Sequence, residues 1–153
     1  MISFEIKGLN ELIEMADKYP AISEKHVNKA IKYSLIRIQD QAKQKAPFGT
    51  TGNLRNNWKI QMGRFEGKLS SGAMNNGYNY ALAVQFGTKP HMVSGSSLSL
   101  WASRRGLNPY AVAKSIQRRG TKANPFFSES VESQKLKVEQ EFEKALSNII
   151  LEL

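Results

Sequence analysis

The feature that most restricts the fold is a pair of long apolar stripes at helical spacing, one towards each end of the 153-residue chain. In the first, Val27, Ala30, Ile31, Ser34, Leu35, Ile38 and Ala42 recur at steps of three and four, while Lys25, Lys29, Lys32 and Asp40 fall largely outside the stripe. The spacing predicts a helix over about residues 22–45, roughly 36 Å long at 1.5 Å per residue. In the second, Val131, Val138, Phe142, Ala145, Leu146, Ile149 and Leu153 predict a last helix opened by Ser128 as its N-cap. Stripes of this length must be covered by a sheet or by another helix.

The intervening sequence supplies short strands and turns. Ile2, Phe4 and Ile6 alternate with polar residues as in an edge strand, and Gly8 ends the pattern. Leu9, Leu12, Ile13 and Ala16 then share a helical face that Tyr19-Pro20 terminates. After a turn-rich stretch from Ala46 to Asn53, a brief helical turn is expected near Leu54. Trp58, Ile60 and Met62 alternate as in a strand with one buried face. Phe65-Glu66-Gly67-Lys68 reads as a hairpin connection to a second strand near 68–74, and Asn75-Asn76-Gly77 reads as a turn. Residues 78–90 form an apolar segment that runs into Phe86-Gly87-Thr88 and stops at Pro90. Ala81, Leu82, Val84, Gln85 and Phe86 fit a strand or a short helix equally. Residues 89–99 read as an exposed, mobile loop, with a helix around Leu100 and Trp101 after it. Asn108-Pro109 starts a further helix that ends at Gly120, and Asn124-Pro125-Phe126-Phe127 makes a turn with two large anchors. Together these predict one α+β domain over residues 1–153. A small antiparallel sheet packs against two long amphipathic helices, with short helices in the second half.

Composition narrows the function. With no cysteine, thiolate catalysis, disulfides and cysteine metal sites are excluded. The first residues lack the pattern of a signal peptide, and no apolar run approaches the roughly 20 residues that span a bilayer, so a soluble protein without membrane contact is expected. His26 lies among helical lysines and His91 in the expected loop, with no spacing that makes a metal site. No serine sits in a nucleophile elbow, and no glycine-rich phosphate loop follows a strand. We therefore expect no catalytic residues, no cofactor and no metal.

The net charge of +9 is concentrated. Residues 41–128 hold thirteen bases against one acid, Glu66, whereas residues 129–153 hold six acids against three bases. Arg104, Arg105, Lys114, Arg118, Arg119 and Lys122 lie close together in sequence. A solvated surface, phosphate contact beside Trp101 or Tyr110, and pairing with Glu139, Glu141 or Glu143 of a neighbouring subunit are the readings of this cluster. A basic nucleic-acid-binding module is the alternative function that it raises.

Several short segments carry a resemblance. Gly52-Asn53-Leu54-Arg55, then Tyr80-Ala81 with Val84 and Phe86-Gly87-Thr88, then Gly120-Thr121 with Asn124-Pro125-Phe126-Phe127, are similar in order and spacing to the tail-component family of long-tailed phages over about residues 25–145. The resemblance implies a structural neck or tail-completion protein of a phage or prophage, made in the host cytoplasm and carried in the virion. Such a protein forms a homo-oligomeric ring at the head-proximal end of the tail, meets the tail tube and the connector or adaptor proteins, and surrounds the channel through which DNA passes. It makes Gly52, Leu54, Tyr80, Ala81, Val84, Phe86, Gly87, Thr88, Gly120, Pro125 and Phe126 a fold signature, with Tyr80, Ala81, Val84 and Phe86 holding the core and Gly87-Thr88 launching a docking loop. Where family members often carry glutamate, this chain has Gln85, so a salt bridge from that position is not expected.

Overall fold

The computed structural model describes residues 7–75 and 78–153. The expected strand at residues 2–6 lies outside them, as do the Asn76 and Gly77 positions of the expected turn. The elements are α1 (Leu9–Lys18), α2 (Pro20–Lys45), α3 (Asn53–Asn56), β1 (Trp58–Gly63), β2 (Glu66–Ser71), β3 (Met74–Asn75), β4 (Tyr78–Asn79), α4 (Ala81–Phe86), α5 (Gly95–Ser103), α6 (Pro109–Arg119) and α7 (Phe126–Leu151). The class is α+β, with a small antiparallel sheet against a long helix and short helices after it.

The two apolar stripes cover each other. Ala30, Ile38 and Ala42 of α2 and Val131, Val138, Ala145 and Ile149 of α7 are buried, and the two helices form the most extensive contact between elements among the described residues. They run antiparallel, as three ion pairs along their length show: Lys45 with Glu129 at 3.3 Å, Arg37 with Glu141 at 3.1 Å and Lys25 with Glu152 at 2.6 Å. Ion pairs this exposed contribute little to stability because water and salt screen them, so burial holds the helices together and the charges fix their direction. Pro20 sits at the first turn of α2, where its missing N–H costs nothing, and separates α1 from α2. Of the face expected to bury α1, only Leu12 is inside, while Leu9 and Ile13 are exposed. The Ser23 hydroxyl donates to the Met15 carbonyl at 2.8 Å and ties the two helices.

A second flank of α2 carries the hairpin. Strands β1 and β2 pair from Trp58 opposite Ser71 to Gly63 opposite Glu66, which leaves Arg64-Phe65 as the two-residue turn. The connection expected at residues 65–68 is corrected: Glu66, Gly67 and Lys68 already belong to β2, which starts two residues before the expected 68 and ends at Ser71 instead of 74. Phe65 adopts a φ of 56°, unusual for a bulky side chain, and its N–H donates to Asn28 Oδ1 at 2.9 Å, while Arg64 pairs with Glu24 at 3.0 Å. Gly67 serves packing instead of turning. A Cβ there would lie 2.6 Å from Ile31 Cγ2 and 2.7 Å from Leu35 Cδ1, so its absence lets β2 lie directly on α2. The expected inward Met62 is exposed.

Candidate assembly surface

Part of the expected signature comes together although its residues are far apart in sequence. Leu54 from α3, Ala81 from α4 and Phe126 from α7 are buried with Ala42, Ala46 and Ala73, and Trp58, Tyr80, Val84 and Phe127 pack around them. Trp58 stacks on Phe127 at 5.9 Å between centroids and meets Phe126 edge-on at 6.3 Å. Its indole N–H donates to the Leu54 carbonyl at 2.9 Å, and Arg55 Nε donates to the Ala46 carbonyl at 2.6 Å. Gly52 precedes α3 and packs under the Phe48 ring. The alanines make this possible, since small side chains on α2 leave room for a ring from α7.

Phe86 does not join this core. Residues 81–86 form a short helix instead of a strand, and its turn places Ala81 and Gln85 inward and Leu82 and Phe86 outward, leaving Phe86 72% exposed. The inward polar residue is Gln85, only 8% exposed. Its Oε1 accepts from the Phe127 N–H at 2.9 Å, and its Nε2 donates to the Ser128 hydroxyl at 2.6 Å. Phe127 lies in the first turn of α7, where backbone N–H groups have no partner within the helix, so Gln85 caps α7 from a distance. Pro125, not Ser128, occupies the cap position, and the Ser128 hydroxyl turns back to the Pro125 carbonyl at 3.2 Å. The capping role suits an acceptor at position 85 of either kind, amide or carboxylate.

Beyond Phe86 two further signature segments meet. Thr88 and Thr121 form an antiparallel bridge through Thr88 N–H to Thr121 O at 3.2 Å and Thr121 N–H to Thr88 O at 3.1 Å, with the two hydroxyls 2.9 Å apart. Gly87 and Gly120 flank it at φ of 72° and 74° with ψ near 180°, a region essentially reserved for glycine. Neither has room for a side chain. A Cβ at Gly87 would overlap the Thr121 carbonyl oxygen and come within 2.8 Å of Ala123 N. One at Gly120 would overlap the Thr88 carbonyl oxygen. Each glycine thus makes space for the strand bearing the other.

This latch closes the base of a helical arm. Helix α5 begins at Gly95, where the Ser94 hydroxyl accepts from the Ser96 N–H, so the second half of the expected 89–99 loop is helical. Helix α6 is opened by Asn108, whose side chain accepts from Tyr110 and Ala111 N–H, and it buries no residue. The two helices pack mainly on each other. From Gly87 to Lys122 the arm holds seven bases and no acid. The basic cluster is divided within it. The Arg104 guanidinium donates to the Thr50 carbonyl, and Arg105 lies over the Trp101 ring at 4.5 Å. Lys114, Arg118, Arg119 and Lys122 are exposed and join no ion pair among the described residues.

The acids of α7 are divided too. Glu129, Glu141 and Glu152 pair with α2, so the expected availability of Glu141 to a neighbour is corrected: Arg37 of the same chain holds it. His26, buried beneath the end of α7, places Nε2 3.1 Å from Glu152, and Lys25, then His26, hold the Glu152 carboxyl below its ordinary value. Among the described residues no group of three or more His, Asp or Glu is gathered as metal ligands, and no helix is long and apolar enough to cross a membrane.

A family profile described as "Bacteriophage HK97-gp10, putative tail-component" matches residues 10–87. That is just over half of the chain, and the protein belongs to this family of phage tail components. The match includes α2, the Gly52 and Leu54 segment and the whole of α4, and it ends at Gly87, the first glycine of the latch. No curated protein and no solved structure matches the chain.

Proposed function

We propose that this protein is a neck or tail-completion component of a phage or prophage virion. It assembles as a ring at the head-proximal end of the tail and joins the tail tube to the connector or adaptor proteins. The observation that carries the reading, beyond family membership, is the outward placement of Leu82 and Phe86 on α4, beside the latch. Large apolar side chains on a surface of this kind are covered in an assembly. In this reading the chain acts as one domain. Gly52, Leu54, Tyr80, Ala81, Val84, Pro125 and Phe126 hold the body, Gly87, Thr88 and Gly120 fasten the arm, and Lys114, Arg118, Arg119 and Lys122, which join no ion pair among the described residues, serve contacts between subunits. The role is structural, without a catalytic step. Electron microscopy and mass photometry of the protein, alone and with tail-tube and connector proteins, test it. Rings that cap tail tubes are expected; a strict monomer that ignores both partners refutes it.

A further inference from the structure

We propose that the α5–α6 arm of one copy seats on the outer face of α7 of a second copy, as the repeating contact of the assembly; this rests on the ring reading above. Two surfaces on the chain complement each other. On the arm, Met92, Val93, Tyr110 and Ala113 line a shallow groove bordered by Lys114. Met92 is 83% and Tyr110 70% exposed, so two large apolar groups face solvent inside an acid-free segment. On α7, Glu132, Leu136, Glu139, Glu143 and Ile150 fall within an arc of about 60° at 100° per residue, and no lysine shares that arc. It is turned away from the buried line of Val131, Val138, Ala145 and Ile149, and Leu136 in its middle is 67% exposed. Glu132, Glu139 and Glu143 join no ion pair among the described residues.

The spacings match as well as the signs. Lys114 and Arg118 are four residues apart on α6, and Glu139 and Glu143 are four apart on α7, a separation of about 6 Å along either helix. Tyr110 stands one turn before the cations, and Leu136 one turn before the acids. An arm meeting nucleic acid needs only its cations, because phosphate gives most of the attraction. Bases stack on a ring such as Tyr110, but a polyanion gives the exposed apolar Met92 no comparable cover. The arm and the α7 stripe are different patches, so the contact is heterologous, and its repetition extends beyond a dimer, to a ring where the rotation between copies closes. Charge pairs fix its register, and burial of the apolar pairs supplies the holding energy.

The chain has no cysteine, so introduced thiols are unique reporters. Met92→Cys protein mixed with Leu136→Cys protein and treated with a short bismaleimide is expected to give a cross-linked dimer, and the double variant a ladder beyond dimer. Reversal of Lys114 and Arg118 to Glu should lower the cross-link about tenfold or more, because like charges then face each other. Adding Glu139→Lys and Glu143→Lys should restore it, with circular dichroism confirming that each variant is folded. Rings that form without the cross-link, or that ignore both reversals, overturn this contact and leave the ring reading standing. A wild-type monomer in solution and with its tail partners overturns both. A salt-sensitive complex of the arm with duplex DNA, unaccompanied by cross-linking, overturns the contact in favour of a nucleic-acid role.

Discussion

Replacement of either latch glycine by alanine gives a test whose outcome depends on how the two are joined. At Gly120 a Cβ would meet the Thr88 carbonyl oxygen and lie 2.8 Å from the Thr88 and Lys89 carbonyl carbons, all backbone that cannot swing aside. Keeping the bridge therefore imposes that overlap on top of a backbone region costing about 1–3 kcal/mol for any other residue. Opening the bridge avoids both. It forfeits two backbone hydrogen bonds and the hydroxyl pair of Thr88 and Thr121, about 1.5–4.5 kcal/mol together at 0.5–1.5 kcal/mol each. Opening is cheaper and sets the penalty. The same holds at Gly87, whose Cβ would strike the Thr121 carbonyl oxygen and Ala123 N. Gly87→Ala and Gly120→Ala should each destabilise by about 3 kcal/mol, and the double variant by about the same amount, since one open bridge cannot be lost twice. Gly106→Ala is the control. Its φ is 66° with nothing within 4 Å, so only the conformational cost of about 1 kcal/mol applies. Guanidinium unfolding followed by circular dichroism measures all four. Additive penalties, or single changes no worse than Gly106→Ala, would refute the shared latch.

Other expectations follow from single contacts. Gln85→Ala leaves the Phe127 N–H without its acceptor and should cost about 1–3 kcal/mol in the same assay, whereas Gln85→Glu keeps an acceptor at the positive end of α7 and should stay within about 1 kcal/mol of wild type at neutral pH. Gly67→Ala pushes on Ile31 Cγ2 and Leu35 Cδ1 and should cost about 1–2 kcal/mol; a wild-type midpoint for Gly67→Ala would show that β2 does not lie on α2 as described. The Glu152 carboxyl is held below its ordinary value of 4.5 by Lys25 first and His26 second. A group whose folded value is depressed stabilises above its unfolded value and loses that contribution as pH falls through the folded one. Glu152→Gln should therefore destabilise at neutral pH and converge with wild type in acid, below the carboxylate range; a gap between the two that persists at low pH would sink this assignment.

The parts of the fold that sequence exposes are those with a local cause. Helices α2 and α7 have stripes long enough to define a period, and Asn108-Pro109 is a start signal complete within two residues. Helix α4 has six residues, fewer than two turns, so periodicity does not separate it from a strand, and the side on which Phe86 falls depends on that difference. Gln85 is buried because the first turn of α7, forty-two residues later, needs an acceptor. The hairpin turn is displaced from the glycine because Gly67 is wanted against Ile31 and Leu35, while Phe65 is held at positive φ by Asn28. In the candidate surface, the charge cluster is visible in sequence. Its division is not, because the partners of Arg104 and Glu141 come from Thr50 and Arg37, 54 and 104 residues away.

The long separation between α2 and α7 also bears on how the chain is made. Lys45 and Glu129 are 84 residues apart, and Lys25 and Glu152 are 127 apart. At about 5–20 residues per second of synthesis, α2 exists for on the order of ten seconds before the helix that covers it is complete. During that interval its future inner face is open to other nascent chains. That face is lined by Ser23, His26, Ala30, Ser34 and Ala42, with Ile38 the only large aliphatic among its buried residues. A surface of hydroxyl, imidazole and methyl groups binds strangers weakly, and the large rings Trp58, Phe126 and Phe127 enter only afterwards, from elements that arrive later. The small side chains that let two helices pack closely therefore also leave the α7-facing side of α2 with little large apolar surface to offer while it waits for its partner.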